Sequence, residues 1–280
     1  MVGAVKGRGA AGSRSPGLID SGSVRASGFH FGNKKSLRFD SNTSESVLGP
    51  LLSDAGTFTN QLTFAIWHKW STDFAPTQLY DCLCGAGNSW TVANQGPGMY
   101  WQDTDSVHFH INEFGSSFAQ ADGLTSTDWN FFVGVYDGSL GSQNVKLYAN
   151  GALGATTGAR TASVNTSNNI EVGKTWNAQD AGGSDDFTQG NSDEFAVWNT
   201  PLSADEVTEL YLSGVAGFEY NIDSGLYVSA DSLRLWWRLG DAVDADGTDG
   251  ITDHSGNGNH GTLTDITSAN FENDVAGGGI

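Results

Sequence analysis

The chain is poor in cysteine, proline and positive charge, and each shortage excludes something. Its 280 residues hold two cysteines, Cys82 and Cys84, one residue apart. That spacing suits neither a disulfide between them nor a four-ligand zinc site without distant histidines, so two free thiols in a reducing compartment are expected. Five prolines stand against 38 glycines, a balance that fits tight turns between short strands rather than collagen or a rigid linker. No apolar run approaches 18 residues, so no segment is expected to span a membrane, and the Gly/Ser/Arg-rich start lacks the apolar centre of a secretion signal. Lys and Arg number 13 against 32 Asp and Glu, for a formal net charge of −19. The imbalance is uneven: residues 1–38 carry +6 and the remainder −25. An acidic body disfavours nucleic acid as the main partner. The basic arm suits an acidic protein surface at least as well as RNA or DNA.

What is present is strand. In Trp129–Tyr136, Trp129, Phe131, Val133 and Val135 share one face, and Phe132 and Tyr136 keep the other apolar, which predicts a strand covered on both sides. Val145, Leu147 and Ala149 then alternate with Lys146 and Tyr148, and Asn150-Gly151 is a strong turn signal because both residues tolerate positive φ. Leu62–Trp70 is a second strand of this kind, with Leu62, Phe64 and Ile66 opposed to Ala65 and Trp67. Shorter strands are expected at Ser36–Asp40, Leu79–Cys84, Ser89–Ala93, Met99–Gln102, Val107–Ile111, Asn169–Gly173 and Glu194–Trp198. Another is expected at Ser232–Leu239, with Leu233, Leu235, Trp237 and Leu239 inward. Ser203 and Glu206 form a capping box for one short helix, with Leu202 and Val207 as its staple and Gly214 as a left-handed stop. The expected fold is therefore all-β: a two-sheet antiparallel jelly-roll sandwich with one short peripheral helix and an extended N-terminal arm. Residues 1–34 would be the basic anchoring arm, 35–265 the sandwich and 266–280 a Gly-rich tail.

The order SLRFD, LTFAIWHKW, DWNFFVGVYDG…NVKLYANG, IEVG, SDEFAVWNTPLSADEVTELY resembles the laminin-G-like jelly rolls of the concanavalin A-like lectin/glucanase superfamily. LRLWWRLGD…ITDHSGNGNHGTL, at residues 232–263, resembles the motif that ordinarily comes first there, which implies a circular permutation within the chain. The resemblance implies the fold but leaves function open among lectins, enzymes and structural modules. A lectin-like domain with a basic arm and no disulfides also resembles virion proteins of tailed phages. It implies a virion component made in the host cytoplasm, anchored to capsid or tail proteins by the arm, forming homo-oligomers and presenting a face to surface glycans. The alternatives are a free carbohydrate-binding lectin module and, third, a glycoside hydrolase.

Paired carboxylates at the alternate spacing a glycosidase strand needs are missing, and Asp193-Glu194, being adjacent, should point to opposite faces. No enzyme is expected. Asp241, Asp244, Asp246, Asp249 and Asp253 gather five carboxylates on a Gly-containing loop, a set of hard oxygen ligands that suits Ca²⁺ or else a solvated acidic loop. His108 and His110 share a strand face, which would suit a transition metal, but with no third ligand evident a solvent-exposed pair is expected. Trp90, Tyr100, Trp101, Asp103, Trp176 and Asn177 combine aromatic rings with planar polar groups, the chemistry of a glycan site. The alternative is that the tryptophans close the core at strand ends. Gly256, Gly258 and Gly261 are read as positions of positive φ.

Overall fold

The computed structural model describes residues 35–40, 44–72, 81–87, 96–101, 105–112, 118–124, 127–154, 160–161, 163–174, 187–214, 219–240 and 250–276. Its strands open with β1 (Ser36–Phe39), β2 (Ser46–Leu51), β3 (Gln61–Trp70), β4 (Asp81–Gly85), β5 (Gly98–Trp101) and β6 (Val107–His110). They continue with β7 (Phe118–Ala121), β8 (Asn130–Asp137), β9 (Val145–Ala149), β10 (Ala152–Leu153), β11 (Asn169–Val172) and β12 (Gly190–Trp198). The last are β13 (Leu233–Trp237), β14 (Gly250–Ile251), β15 (Gly261–Thr264) and β16 (Phe271–Glu272). A single turn, α1 (Leu52–Ala55), and one longer helix, α2 (Ala204–Gly214), complete the elements used below.

Two eight-stranded sheets face each other. The first runs β10-β9-β8-β3-β12-β1-β16, with β13 also paired to β12, and the second runs β14-β15-β2-β11-β4-β5-β6-β7. The strand pairs are antiparallel, as the alternating sequence pattern expects. Between the sheets lie Phe64, Ile66, Phe132, Phe195 and Val197 from the first and Met99, Trp101, Val107, Phe109 and Ile170 from the second. Phe64 meets Phe109 edge to face across this core at 6.4 Å. A Cβ on Gly134 would fall 2.4–2.7 Å from the Phe109 ring, so the second sheet's aromatic layer needs glycine in β8.

The other face of the first sheet is equally apolar, and this is why β3 and β8 are greasy on both sides. Ala65, Trp67, Phe131, Val133, Val135 and Trp198 form a second buried cluster with Leu202, Val207 and Leu210 at α2, and with Tyr220 and Tyr227. The capping box exists as read: the Ser203 amide donates to Glu206 Oε2 at 2.9 Å and the Glu206 amide to Ser203 Oγ at 3.2 Å. The Asn150-Gly151 turn has φ of 51° and 78°.

Three local readings need correction. Gly214 is the last helical residue and has no positive φ; its small size instead lets the Trp67 indole approach within 3.1 Å of where a Cβ would be. Leu233 packs in the helix-covered cluster while Leu235, Trp237 and Leu239 sit between the sheets, because the β12–β13 register shifts between Val197 and Trp198. Gly256 and Gly258 have positive φ, but Gly261 does not; a Cβ there would strike Val47 at 2.5 Å.

The end of the chain is built into both sheets. β13 pairs with β12, β15 with β2 and β16 with β1. Beyond β16, Asp274 accepts from Lys69 Nζ at 2.7 Å and from Trp129 Nε1 at 2.9 Å, so part of the stretch read as a tail is tied to the first sheet.

Candidate ligand-binding face of the second sheet

The two faces of the second sheet differ in chemistry. Met99, Trp101, Val107, Phe109, Ala119 and Ala121 enter the core, so alternation sends Tyr100, His108, His110, Phe118 and Gln120 to the outside. Pairing arranges them in two rows. Cys82, Tyr100, His108 and Gln120 are successive partners across β4 to β7, and so are Gly85, Gly98, His110 and Phe118, with Glu171 opposite Gly85. Gly98 is what brings the polar groups together. A Cβ there would stand 3.0 Å from His110 Nε2 and 3.1 Å from Tyr100 Oη, in the space the two groups share.

The rings form two stacks. Tyr100 lies over His110 at 4.6 Å, and His108 lies flat on Phe118 at 4.2 Å with only 8° between their planes. Tyr100, His108, His110 and Glu171 are 2, 6, 3 and 3 % exposed, whereas Phe118 and Gln120 on the edge strand β7 are half-buried. The face is thus closed at its centre and opens at β7. Among the described residues no helix covers it; the helix α2 packs on the other sheet.

Burial sets the charge here. It lowers the His110 imidazole to about 3, with the Arg160 guanidinium adding to the effect, so His110 is neutral at pH 7. It raises the Glu171 carboxyl to about 7, partly opposed by Lys174. A carboxyl raised on folding stabilises the fold while protonated; the contribution is whole below the unfolded value near 4.5 and is lost as pH climbs through about 7. Glu171→Gln removes that dependence. The stability of the variant relative to wild type, from denaturant melts, should therefore rise between pH 4.5 and 7 and level off above. A difference that is flat with pH would mean that Glu171 ionises freely.

The predicted site residues divide. Tyr100 lies on this face. Trp101 does not: it is fully buried in the core, 4.1 Å from Trp70, and offers no ring face to a ligand, so the core-closing alternative holds for it. Trp90, Asp103, Trp176 and Asn177 fall outside the described residues. Gly85 and Gly98 flank the connection that carries Trp90, and Trp101 opens the one that carries Asp103.

Of the calcium set, Asp241, Asp244, Asp246 and Asp249 also lie outside the described residues. Asp253 is buried and its two oxygens accept from the Trp236, Ser255 and Asn259 amides and from Ser255 Oγ, which makes it the pivot of a turn rather than an open metal ligand. His108 and His110 share a face as expected but are buried, not solvent-exposed, with His108 stacked on Phe118 and His110 on Tyr100. Among the described residues no group of three His, Cys, Asp or Glu is placed to hold a metal ion.

Asp193 and Glu194 do not point to opposite faces. Glu194 has φ of 48° at a bulge, and its Oε2 accepts from Trp236 Nε1 at 2.5 Å, while Asp193 stands opposite Trp67; both indoles belong to the helix-covered cluster. Both carboxylates serve the fold there, Asp193 through the Glu194 and Ala276 amides. Phe118, Gln120 and Glu171 were not singled out from sequence, although the alternation in FAQA and IEVG places them on the outer face.

The family profile matches residues 49–208. The chain belongs to the concanavalin A-like lectin/glucanases superfamily. A Bacteroides ovatus protein provisionally described as carbohydrate-binding is similar at TM-score 0.59 and 14% identity, over 84% of this chain and 59% of that one. This superfamily member thus spans less than two thirds of that protein's length. A heptameric SAP-like pentraxin from Limulus polyphemus matches at TM-score 0.45 and 16% identity, over 64% of this chain and 82% of that one. The CBM40 of Ruminococcus gnavus IT-sialidase, solved with α2,3-sialyllactose, matches at TM-score 0.46 and 20% identity, over 64% and 97%. At these identities the likeness is one of fold. No curated protein matches the sequence.

Proposed function

We propose that this chain is a non-catalytic lectin-like module that binds a glycan at the β7 edge of the second sheet's outer face. The observation that carries the reading is Phe118: a partly exposed residue on the edge strand, its ring backed flat by His108, with the Gln120 amide on the same strand face. A rigid aromatic platform beside a planar amide is what a pyranose ring needs, with its C–H face on the ring and its hydroxyls on the amide. The superfamily and the carbohydrate-binding description of the Bacteroides ovatus relative point the same way. A catalytic role has less support, since Asp193 and Glu194 are spent on structural hydrogen bonds. Phe118→Ala should weaken binding to an array-identified glycan roughly tenfold, the worth of one aromatic stack, with Phe118→Tyr close to wild type and melting temperatures unchanged. Equal affinity for Phe118→Ala would sink the site.

A second reading rests on the charge asymmetry between residues 1–38 and the acidic remainder. In it the module decorates a phage particle, held to capsid or tail by its arm and assembled as a homo-oligomer. Light scattering on the full chain and on a chain lacking residues 1–34 tests it. Oligomers that dissolve with the arm support assembly there, and a monomer in both cases removes it.

A further inference from the structure

The β4–β7 half of the second sheet, which carries the platform, is built from a part of the chain that contains no positive charge. From Trp70 to Val145 there is neither Lys nor Arg, while eight carboxylates occur: Asp73, Asp81, Asp103, Asp105, Glu113, Asp122, Asp128 and Asp137. That span supplies β4, β5, β6 and β7 together with every connection between them. The side chains on the face add no cation either. Tyr100, Phe118 and Gln120 are uncharged, and His110 is held neutral by burial. Among the described residues, two cations act on the face from outside the span. Lys174 acts on Glu171 at the far side from β7, and Arg160, which acts on His110, donates from Nη2 to the Ile111 carbonyl at 3.1 Å. Asp122 lies two residues beyond Gln120 and accepts from its amide, so a carboxylate stands directly beside the platform.

Recognition of an anionic sugar requires a cation or a set of strong donors to replace the water lost from its carboxylate or sulfate, and here it would meet the Asp122 carboxylate instead. We infer that this face selects uncharged glycans and excludes sialylated, uronate-containing and sulfated ones by charge. The inference rests on the glycan reading above and sharpens it: the neutral groups provide the contacts, and the Asp122 carboxylate beside them rejects the acidic competitor.

The test is a panel of matched oligosaccharides, each neutral member paired with its sialylated, glucuronylated or sulfated counterpart, probed with the full chain at about 20 mM and about 300 mM NaCl. Neutral members should bind, with acidic partners roughly fivefold to tenfold weaker at low salt and the gap narrowing as salt screens the carboxylates. Asp105→Lys, an exposed position just before β6, should narrow the gap at low salt as well. Equal or tighter binding of the acidic members overturns the inference. So does a gap that neither salt nor Asp105→Lys changes, because exclusion would then be steric. Absence of binding to neutral and acidic members alike overturns the glycan reading itself, an outcome separate from either.

Discussion

A chain cut after residue 231 is expected to be insoluble. The removed segment carries Leu235, Trp237, Leu239, Ile251 and Phe271 from between the sheets, and Leu233 and Trp236 from the helix-covered cluster. Full burial of each such side chain is worth about 1.5–3 kcal/mol, and seven of them together, about 10–21 kcal/mol, are as large as the ~5–15 kcal/mol that holds a domain folded. The cut also strips β12 of its partner at Phe195–Trp198 and β2 of its partner at Ser46–Leu48, leaving apolar edges free to pair with other chains. Expression of residues 1–231, followed by sedimentation and circular dichroism of whatever stays soluble, reads the result. A soluble fragment with the melting temperature of the full chain would show that the terminal strands are an accessory.

Asp253→Ala should be the most damaging single substitution among the carboxylates. Asp253 Oδ1 accepts from the Trp236 and Ser255 amides, both at 2.9 Å, and Oδ2 accepts from Ser255 Oγ and the Asn259 amide, both at 2.8 Å. These bonds hold the turn whose Asn259 carbonyl receives Trp237 Nε1 at 2.8 Å, so the carboxylate positions a core tryptophan as well as a loop. Truncation leaves backbone donors unpaired around a side chain that is 6 % exposed, at about 1–3 kcal/mol for each. A total near 4 kcal/mol lowers the melting temperature of a domain this size by about 10 °C. Asp253→Asn keeps the shape and loses part of the acceptor capacity, and should fall between. The same melts with and without chelator separate a turn pivot from a calcium ligand. If chelator brings wild type down to Asp253→Ala and leaves the variant unmoved, the residue acts through a metal. A drop in the variant with no chelator effect on wild type assigns it to the turn.

Much of this architecture is legible in the residue order because the features involved are local. Asn150-Gly151 closes a hairpin by backbone geometry alone, and Ser203 with Glu206 caps a helix through atoms three residues apart. Two-sided apolar strands such as Leu62–Trp70 announce that both faces of their sheet are covered, and α2 is the cover on one of them. The errors share a cause. A bulge is one extra residue that the alternation rule does not foresee, and it turned Glu194 onto the side of Asp193, while a register shift moved Leu233 to the outer cluster. Gly261 has the sequence surroundings of a turn glycine, yet its role is to clear Val47 on a neighbouring strand.

The candidate site follows the same division. That Tyr100 and Trp101, adjacent in sequence, go to opposite sides of a sheet follows from the strand period, as does the shared face of His108 and His110. Which side is core and which is outer face depends on what the second sheet packs against. That outcome decided that Trp101 is sealed against Trp70 and that the histidines are buried beneath ring stacks rather than free in water. The sequence by itself determined the superfamily, the long two-sided strands, the capped helix and the absence of cations from residues 70–145, since composition and short-range periodicity are properties of the chain. The short strands Ser46–Leu51, Phe118–Ala121, Gly261–Thr264 and Phe271–Glu272 were not expected, and the expected Ser89–Ala93 lies outside the described residues. Only the tertiary structure brought Gly85, Gly98, His110, Phe118 and Glu171 into one row from five separate strands. Sheet register is a long-range choice, set by how two apolar faces fit together.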